Sequence, residues 1–270
     1  MHRHAGWLAG QFVVGPLIRG GLATQSFWLI LGAICCVIGV LLFLIIPREM
    51  PQVFHGSPVT SMLTPYKVIF SNPQSWLTGT VSGLLFAPTT VFAMTWGIAF
   101  FQQDRQFTYN SAVLTCSMVA LGWVVGCPLL GWISDRMGRR KPALAGGIIV
   151  MIACLAQLSF WPQLAPPLFT MLLLGIASGA AMIPYTIIKE ANPDNVKGSA
   201  TGGQNFLTFA VTALIGPLFA SLYGKTLSTT SDPAIHFQQA GTFFLISTAL
   251  ALILGLCIRE TGHAVRKGTL

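Results

Sequence analysis

The chain has 270 residues, of which 53% are hydrophobic and only 8% charged, with 15 Lys and Arg against 7 Asp and Glu. A soluble domain carries about 25% charged residues, so these few could not cover a soluble surface and the apolar excess belongs in lipid. The net charge of +8 does not point to nucleic acid, because the basic residues lie between apolar stretches and not on one face with interleaved aromatics.

A membrane-spanning helix needs about 20 mostly apolar residues, and eight segments qualify. Helix is the expected element throughout, since a span must satisfy its own backbone in lipid and the strict alternation of a barrel strand is absent. The first span, about 5–22, carries Gly15-Pro16-Leu17-Ile18 and, near its outer end, Arg19. That arginine reads either as a charge partner for an anionic substrate or as an anchor at the membrane face. The second, about 27–46, opens on Phe27-Trp28 and closes on Ile46-Pro47-Arg48-Glu49. Residues 47–75 are rich in Pro, Ser and Thr. Their weakly amphipathic stretch from Met62 to Phe70 is expected on the cytoplasmic face, or as a plain tether.

Six further spans follow at about 76–101, 111–133, 143–161, 167–188, 200–222 and 238–257, and a tail occupies 258–270. Pro88, Pro128, Pro184 and Pro217 fall inside these spans, where neighbouring helices can take up the freed backbone groups. Between the spans at 111–133 and 143–161 runs Gly131-Trp132-Ile133-Ser134-Asp135-Arg136-Met137-Gly138-Arg139-Arg140-Lys141, which gathers four of the 15 basic residues.

The loops set the orientation. If the first span runs outward, the cytoplasmic segments hold Arg3, Arg48, Lys67, Arg136, Arg139, Arg140, Lys141, Lys189, Lys197, Arg259, Arg266 and Lys267. The other side holds only Arg19, Arg105 and Lys225. This positive-inside bias predicts that both termini are cytoplasmic. The expected location is the plasma membrane, in a bacterium the inner membrane, and no cleavable signal peptide is evident. The six cysteines lie in apolar spans without a CxxC pair and the five histidines are scattered. No metal site, cofactor or catalytic residue is therefore expected, and no HExxH, carboxylate pair or Ser-His arrangement marks an enzyme.

The chain also repeats itself. Gly216-Pro217-Leu218-Phe219 matches the motif of the first span, and the last span opens on Phe243-Phe244 and closes on Ile258-Arg259-Glu260. Repeated halves are a feature of secondary transporters, and a repeat spaced by about six spans implies a parent of about twelve. Residues 76–257 then read as a complete C-terminal six-helix half and 1–46 as the last two helices of an incomplete N-terminal half. Residues 47–75 are the cytoplasmic linker between halves, and 258–270 the cytoplasmic tail.

The motif from Gly131 to Lys141 resembles the signature loop of the major facilitator superfamily, which joins the second and third helices of each half, as it does here within 76–257. Gly175…Gly179 and Pro184 in the fourth helix of this half, Gly198…Gly202-Gly203 opening the fifth and Arg259-Glu260-Thr261 closing the sixth agree with that likeness. The resemblance implies an all-α polytopic membrane protein with eight transmembrane helices, and a conformational latch at Gly131, Asp135, Arg136, Gly138, Arg139 and Arg140, where the plainer reading is positive-inside anchoring. Gly131 and Gly138 would permit close helix approach and a tight turn. Asp135 would pair with Arg139 or Arg140, or face the positive end of a neighbouring helix. In the family the first and fourth helices of each half line the cavity, which implies substrate contacts from Thr80, Phe92 and Trp96, and from Ser178 and Tyr185. Gln204 and Asn205 are added from the fifth helix, and for each of these seven helix packing is the competing reading.

The function implied is secondary active transport of a small solute by alternating access, as symport or antiport, with an uncoupled uniporter as the alternative. The partners are that small-molecule substrate, with or without a coupling proton or ion, and membrane lipid. The chain opens Met1-His2-Arg3-His4 almost directly into a span, so an N-terminally truncated form is expected. The alternative is a non-transporting fragment, or a partner subunit of a separately encoded N-terminal half.

Overall fold

The computed structural model describes residue 21 and residues 23–45, 58–229 and 232–266. The first expected span with Gly15-Pro16 and Arg19, the pair Arg48-Glu49 and the end of the tail lie outside the described residues. Among the described residues the chain is all-helical, and seven helices are long and apolar enough to cross a membrane. They are α1 (Thr24–Ile45), α3 (Pro73–Gln103), α4 (Tyr109–Met137), α5 (Arg140–Phe160), α6 (Pro167–Ala191), α7 (Lys197–Thr229) and α8 (Pro233–Cys257). Two shorter helices are α2 (Pro58–Ser71) and α9 (His263–Arg266).

Most of the helices run past the apolar edges predicted for them, because polar residues cap them instead of ending them early. Asn72 Oδ1 accepts from Gln74 N at 3.0 Å at the head of α3, and Thr108 Oγ1 accepts from Ser111 N at 3.3 Å at the head of α4. Gly138, at φ 64, closes α4 in the left-handed conformation. Asn72 also ties the head of α3 to the end of α6, its Nδ2 donating to Ala191 O at 2.9 Å in the last turn of α6.

Within α3–α8, α4 packs along α6, α5 along α8, and α3 against both α7 and α8. The α4–α6 seam is made by backbone. A Cβ on Gly126 would fall 2.1 Å from Ile176 O, and one on Gly179 would fall 2.4 Å from the carbonyl carbon of Gly126. Gly122 and Gly175 repeat the arrangement one turn away, so two small-xxx-small faces meet. The stretch from Met62 to Phe70 lies in α2, whose Ile69 is buried with Ile188, Val196 and Ala200. By contrast, the apolar window of α1 is 0% buried.

α3 changes pitch midway, forming a π-helix over Pro88–Trp96. Pro88 has no N–H to give to the carbonyl of Leu84, and that carbonyl instead accepts from Ser247 Oγ of α8 at 3.5 Å. Thr89 and Thr90 hydroxyls donate to Phe86 O at 3.0 and 2.7 Å. Side-chain hydroxyls thus take up the carbonyls of Leu84 and Phe86 at the break.

Candidate functional site

At the end where α4 stops and α5 starts, one guanidinium organises the bundle. Arg140 is 8% exposed. Its Nη2 donates to Glu190 Oε1 at 2.7 Å and its Nε to Glu190 Oε2 at 3.2 Å, a two-pronged bond to the last turn of α6. Nη1 donates to Ser134 Oγ at 3.1 Å and to Asp135 Oδ1. Thr261 Oγ1, beyond α8, donates to Glu190 Oε2 at 2.7 Å. A buried cation is tolerable only when its donors are matched in this way.

Glu260 serves the same junction from the other side. Its carboxylate accepts from the backbone N–H groups of Arg140 and Lys141, the latter at 3.1 Å, and so caps the start of α5 with a negative charge where the helix dipole is positive. Arg139 Nε stands 3.9 Å from the same carboxylate, and Ala264 N donates to Gly138 O at 3.1 Å. The chain after α8 is thus laid across the turn between α4 and α5.

Of the expected latch residues, Asp135, Gly138, Arg139 and Arg140 come together, and Asp135 pairs with Arg140, not with Arg139. Arg136 makes no ion pair within the cluster and lies 5.2 Å over the Trp132 ring. At Gly131 a Cβ would meet nothing within 4 Å among the described residues, and close approach is made at Gly122 and Gly126 instead. Beside Gly131 opens a cavity of about 190 Å³ lined by Cys127, Ser134, Asp135, Arg140, Met182 and Thr186. Glu190 and Glu260 were not among the expected latch residues. The signal for each was a carboxylate at the end of a span in a chain with only 7 acidic residues.

The candidate substrate residues divide. Phe92 is 1% exposed among Phe100, Phe237 and Phe244, with ring centroids 5.5, 6.0 and 5.6 Å away, and belongs to the core. Ser178 is likewise buried, its hydroxyl donating to Gly175 O at 2.8 Å and accepting from Trp123 Nε1 at 2.5 Å. Gln204 is buried between α3 and α7 and donates to Thr78 O at 3.2 Å. Trp96 is half-buried, edge-on to Phe219 and Tyr223. Thr80, Tyr185 and Asn205 are half-buried too, and Tyr185 Oη donates to Asn205 Oδ1 at 2.7 Å, linking α6 to α7.

Three comparisons place this geometry among known proteins. The family described as the Major Facilitator Superfamily matches residues 3–217. A D-xylose transporter of Levilactobacillus brevis is 30% identical over 185 residues, covering 68% of this chain and 38% of that protein. A galactose-proton symporter of Escherichia coli K12 is 25% identical over 180 residues, covering 65% of this chain and 36% of that one. The chain therefore spans well under half the length of either relative. In fold it is similar to a bacterial homologue of the human lysosomal transporter Spinster, solved inward-facing and unoccupied, with a TM-score of 0.62 at 14% identity over 95% of this chain and 64% of that one.

Proposed function

The chain belongs to the major facilitator superfamily, and from that membership we propose that it works in secondary active transport of a small polar solute of the sugar class by alternating access. The observation that carries this reading is the Arg140 cluster. It ties α4, α5, α6 and the chain beyond α8, all within one half, through charged groups at one end of the bundle, and so braces that half to rock as a unit against the other. The sugar class is supported by the two transporters above, whose names give D-xylose and galactose as their solutes. A coupling proton is supported by the second of those names alone.

On this reading residues 76–257, spanning α3–α8, move as one half, residues 47–75 are the linker, and 1–46 belong to the other, N-terminal half. The isolation of α1 from the bundle supports that division. The orientation is the one the basic residues favour, with the Arg140 cluster and both termini in the cytoplasm of a cell whose plasma, or bacterial inner, membrane holds the chain. The solute face is formed by Thr80, Trp96, Tyr185 and Asn205, the half-buried members of the expected set, with Gln204 behind them. Asp135, Arg139 and Arg140 brace this half together with Glu190 and Glu260, and Asp135, whose side chain is 70% exposed, is the member that latches onto the other half.

The test is a binding and uptake panel of labelled pentoses and hexoses, run on the protein in lipid vesicles with and without an imposed proton gradient. Saturable binding or uptake of a sugar is expected. A protein that binds none of the sugars, yet binds another class of solute, would sink the sugar assignment.

A further inference from the structure

The end of the bundle opposite Arg140 buries a second group of charges that the latch and solute face do not use. Asp104 closes α3, and its side chain is 3% exposed. Its Oδ1 lies 3.8 Å from His236 Nδ1 in the first turn of α8, and its Oδ2 is buried without a hydrogen-bond partner among the described residues. Arg105 Nη2 donates to Leu158 O of α5 at 3.2 Å, and its guanidinium lies 4.3 Å over the Phe237 ring of α8. Tyr223 of α7 meets the His236 ring edge-on at 6.2 Å between centroids. Arg105, Tyr223 and His236 are the titratable groups facing Asp104 among the described residues, and Asp232 ahead of α8 is exposed. The turn that carries Asp104 and Arg105 includes Gln106 at φ 55, a left-handed conformation that few non-glycine residues adopt.

We propose that Asp104 is a proton-binding site, with His236 as the neighbouring base through which the proton is exchanged, and that the bound proton holds the α3–α4 turn against α8. An ionised carboxylate with one oxygen buried and unpaired is costly, and a neutral carboxyl removes most of that cost. The step forms one O–H bond on the Asp104 carboxylate and breaks one bond to hydrogen on the donor: the O–H of a solvent hydronium, which leaves water, or the N–H of a protonated His236, which leaves the neutral imidazole.

The sign of the pH dependence follows from burial. Burial raises the Asp104 carboxyl above its ordinary value of 3.8, against the opposing pull of His236 and Arg105. Once the turn swings into water the carboxyl returns to its ordinary value, so the docked turn holds the proton more tightly than the undocked one. Acid therefore favours docking, and that advantage is lost as pH rises above 3.8 and through the raised docked value.

Infrared difference spectra of the whole chain in lipid nanodiscs, between about pH 8 and about pH 4, test the site. The wild type is expected to gain a protonated-carboxyl band that Asp104→Asn lacks. His236→Gln, which keeps the carboxyl, should retain the band with its midpoint moved to higher pH, because an opposing charge is gone. A wild type without the band, the band persisting in Asp104→Asn, or an unmoved midpoint in His236→Gln would each overturn the proposal. For docking, the thermal midpoint of the wild type relative to Asp104→Asn should rise on acidification, and a flat difference would overturn that part.

Discussion

Arg140 forks onto Glu190, with Nη2 2.7 Å from Oε1 and Nε 3.2 Å from Oε2, and so fastens the start of α5 to the end of α6. Asp135 reaches the same guanidinium from a side chain that is 70% exposed, while that of Glu190 is 18% exposed. The two carboxylates should therefore contribute unequally.

Removing the buried partner is the costly change. Glu190→Ala leaves a buried guanidinium half-matched, and breaking a pair of this kind costs about 3–5 kcal/mol. Asp135→Ala removes an exposed partner, worth about 0–1 kcal/mol. Unfolding of each variant in detergent should rank them in that order. Equal losses would mean that burial does not set the strength of the cluster.

If the cluster is a latch, Asp135→Ala should change transport more than solute binding. Binding is expected to stay within about 1 kcal/mol, a few-fold, of the wild type, while uptake falls or becomes biased to one side. Loss of binding in a folded variant would argue against the latch.

The α4–α6 seam predicts a contrast between two glycines of α4, Gly126 and Gly131. Gly126→Ala forces a methyl against Ile176 O, where its Cβ would fall at 2.1 Å, and overpacking of this kind costs about 1–3 kcal/mol. Gly131→Ala has open space and should stay within about 0.5 kcal/mol of the wild type. Thermal unfolding of both variants decides it, and a tolerated Gly126→Ala would show that the helices can part without cost.

Tyr185 and Asn205 offer a test of the solute face. Tyr185→Phe removes one hydrogen bond between α6 and α7 and should cost about 0.5–1.5 kcal/mol in stability. On the proposed reading it weakens sugar binding by about tenfold, or about 1.4 kcal/mol. Unchanged affinity, measured by titration, would return both residues to packing.

Topology is checked by reporters fused at Lys141 and Lys225, which should report opposite sides of the membrane. Like readouts would overturn the count of spans between them.

The spans themselves were legible in the residue order, because lipid imposes one rule at every position: an apolar run of sufficient length must be a helix that satisfies its own backbone. Seven of the expected runs appear as helices at nearly their expected places, and the latch loop was legible because its charges stand alone in an apolar chain. The partners of those charges were not, since Arg140 meets Glu190 and its backbone meets Glu260 across 50 and 120 residues of chain. The same holds for Phe92 and Ser178, expected at the solute face and found in the interior with Phe244 and Trp123. Asp104 and His236, ordinary residues at the ends of two spans in sequence, become a buried pair only once α3 and α8 are packed together. Hydrophobicity is a property each segment carries by itself. The depth at which a polar side chain sits, and what it meets there, is decided by which helices pack together.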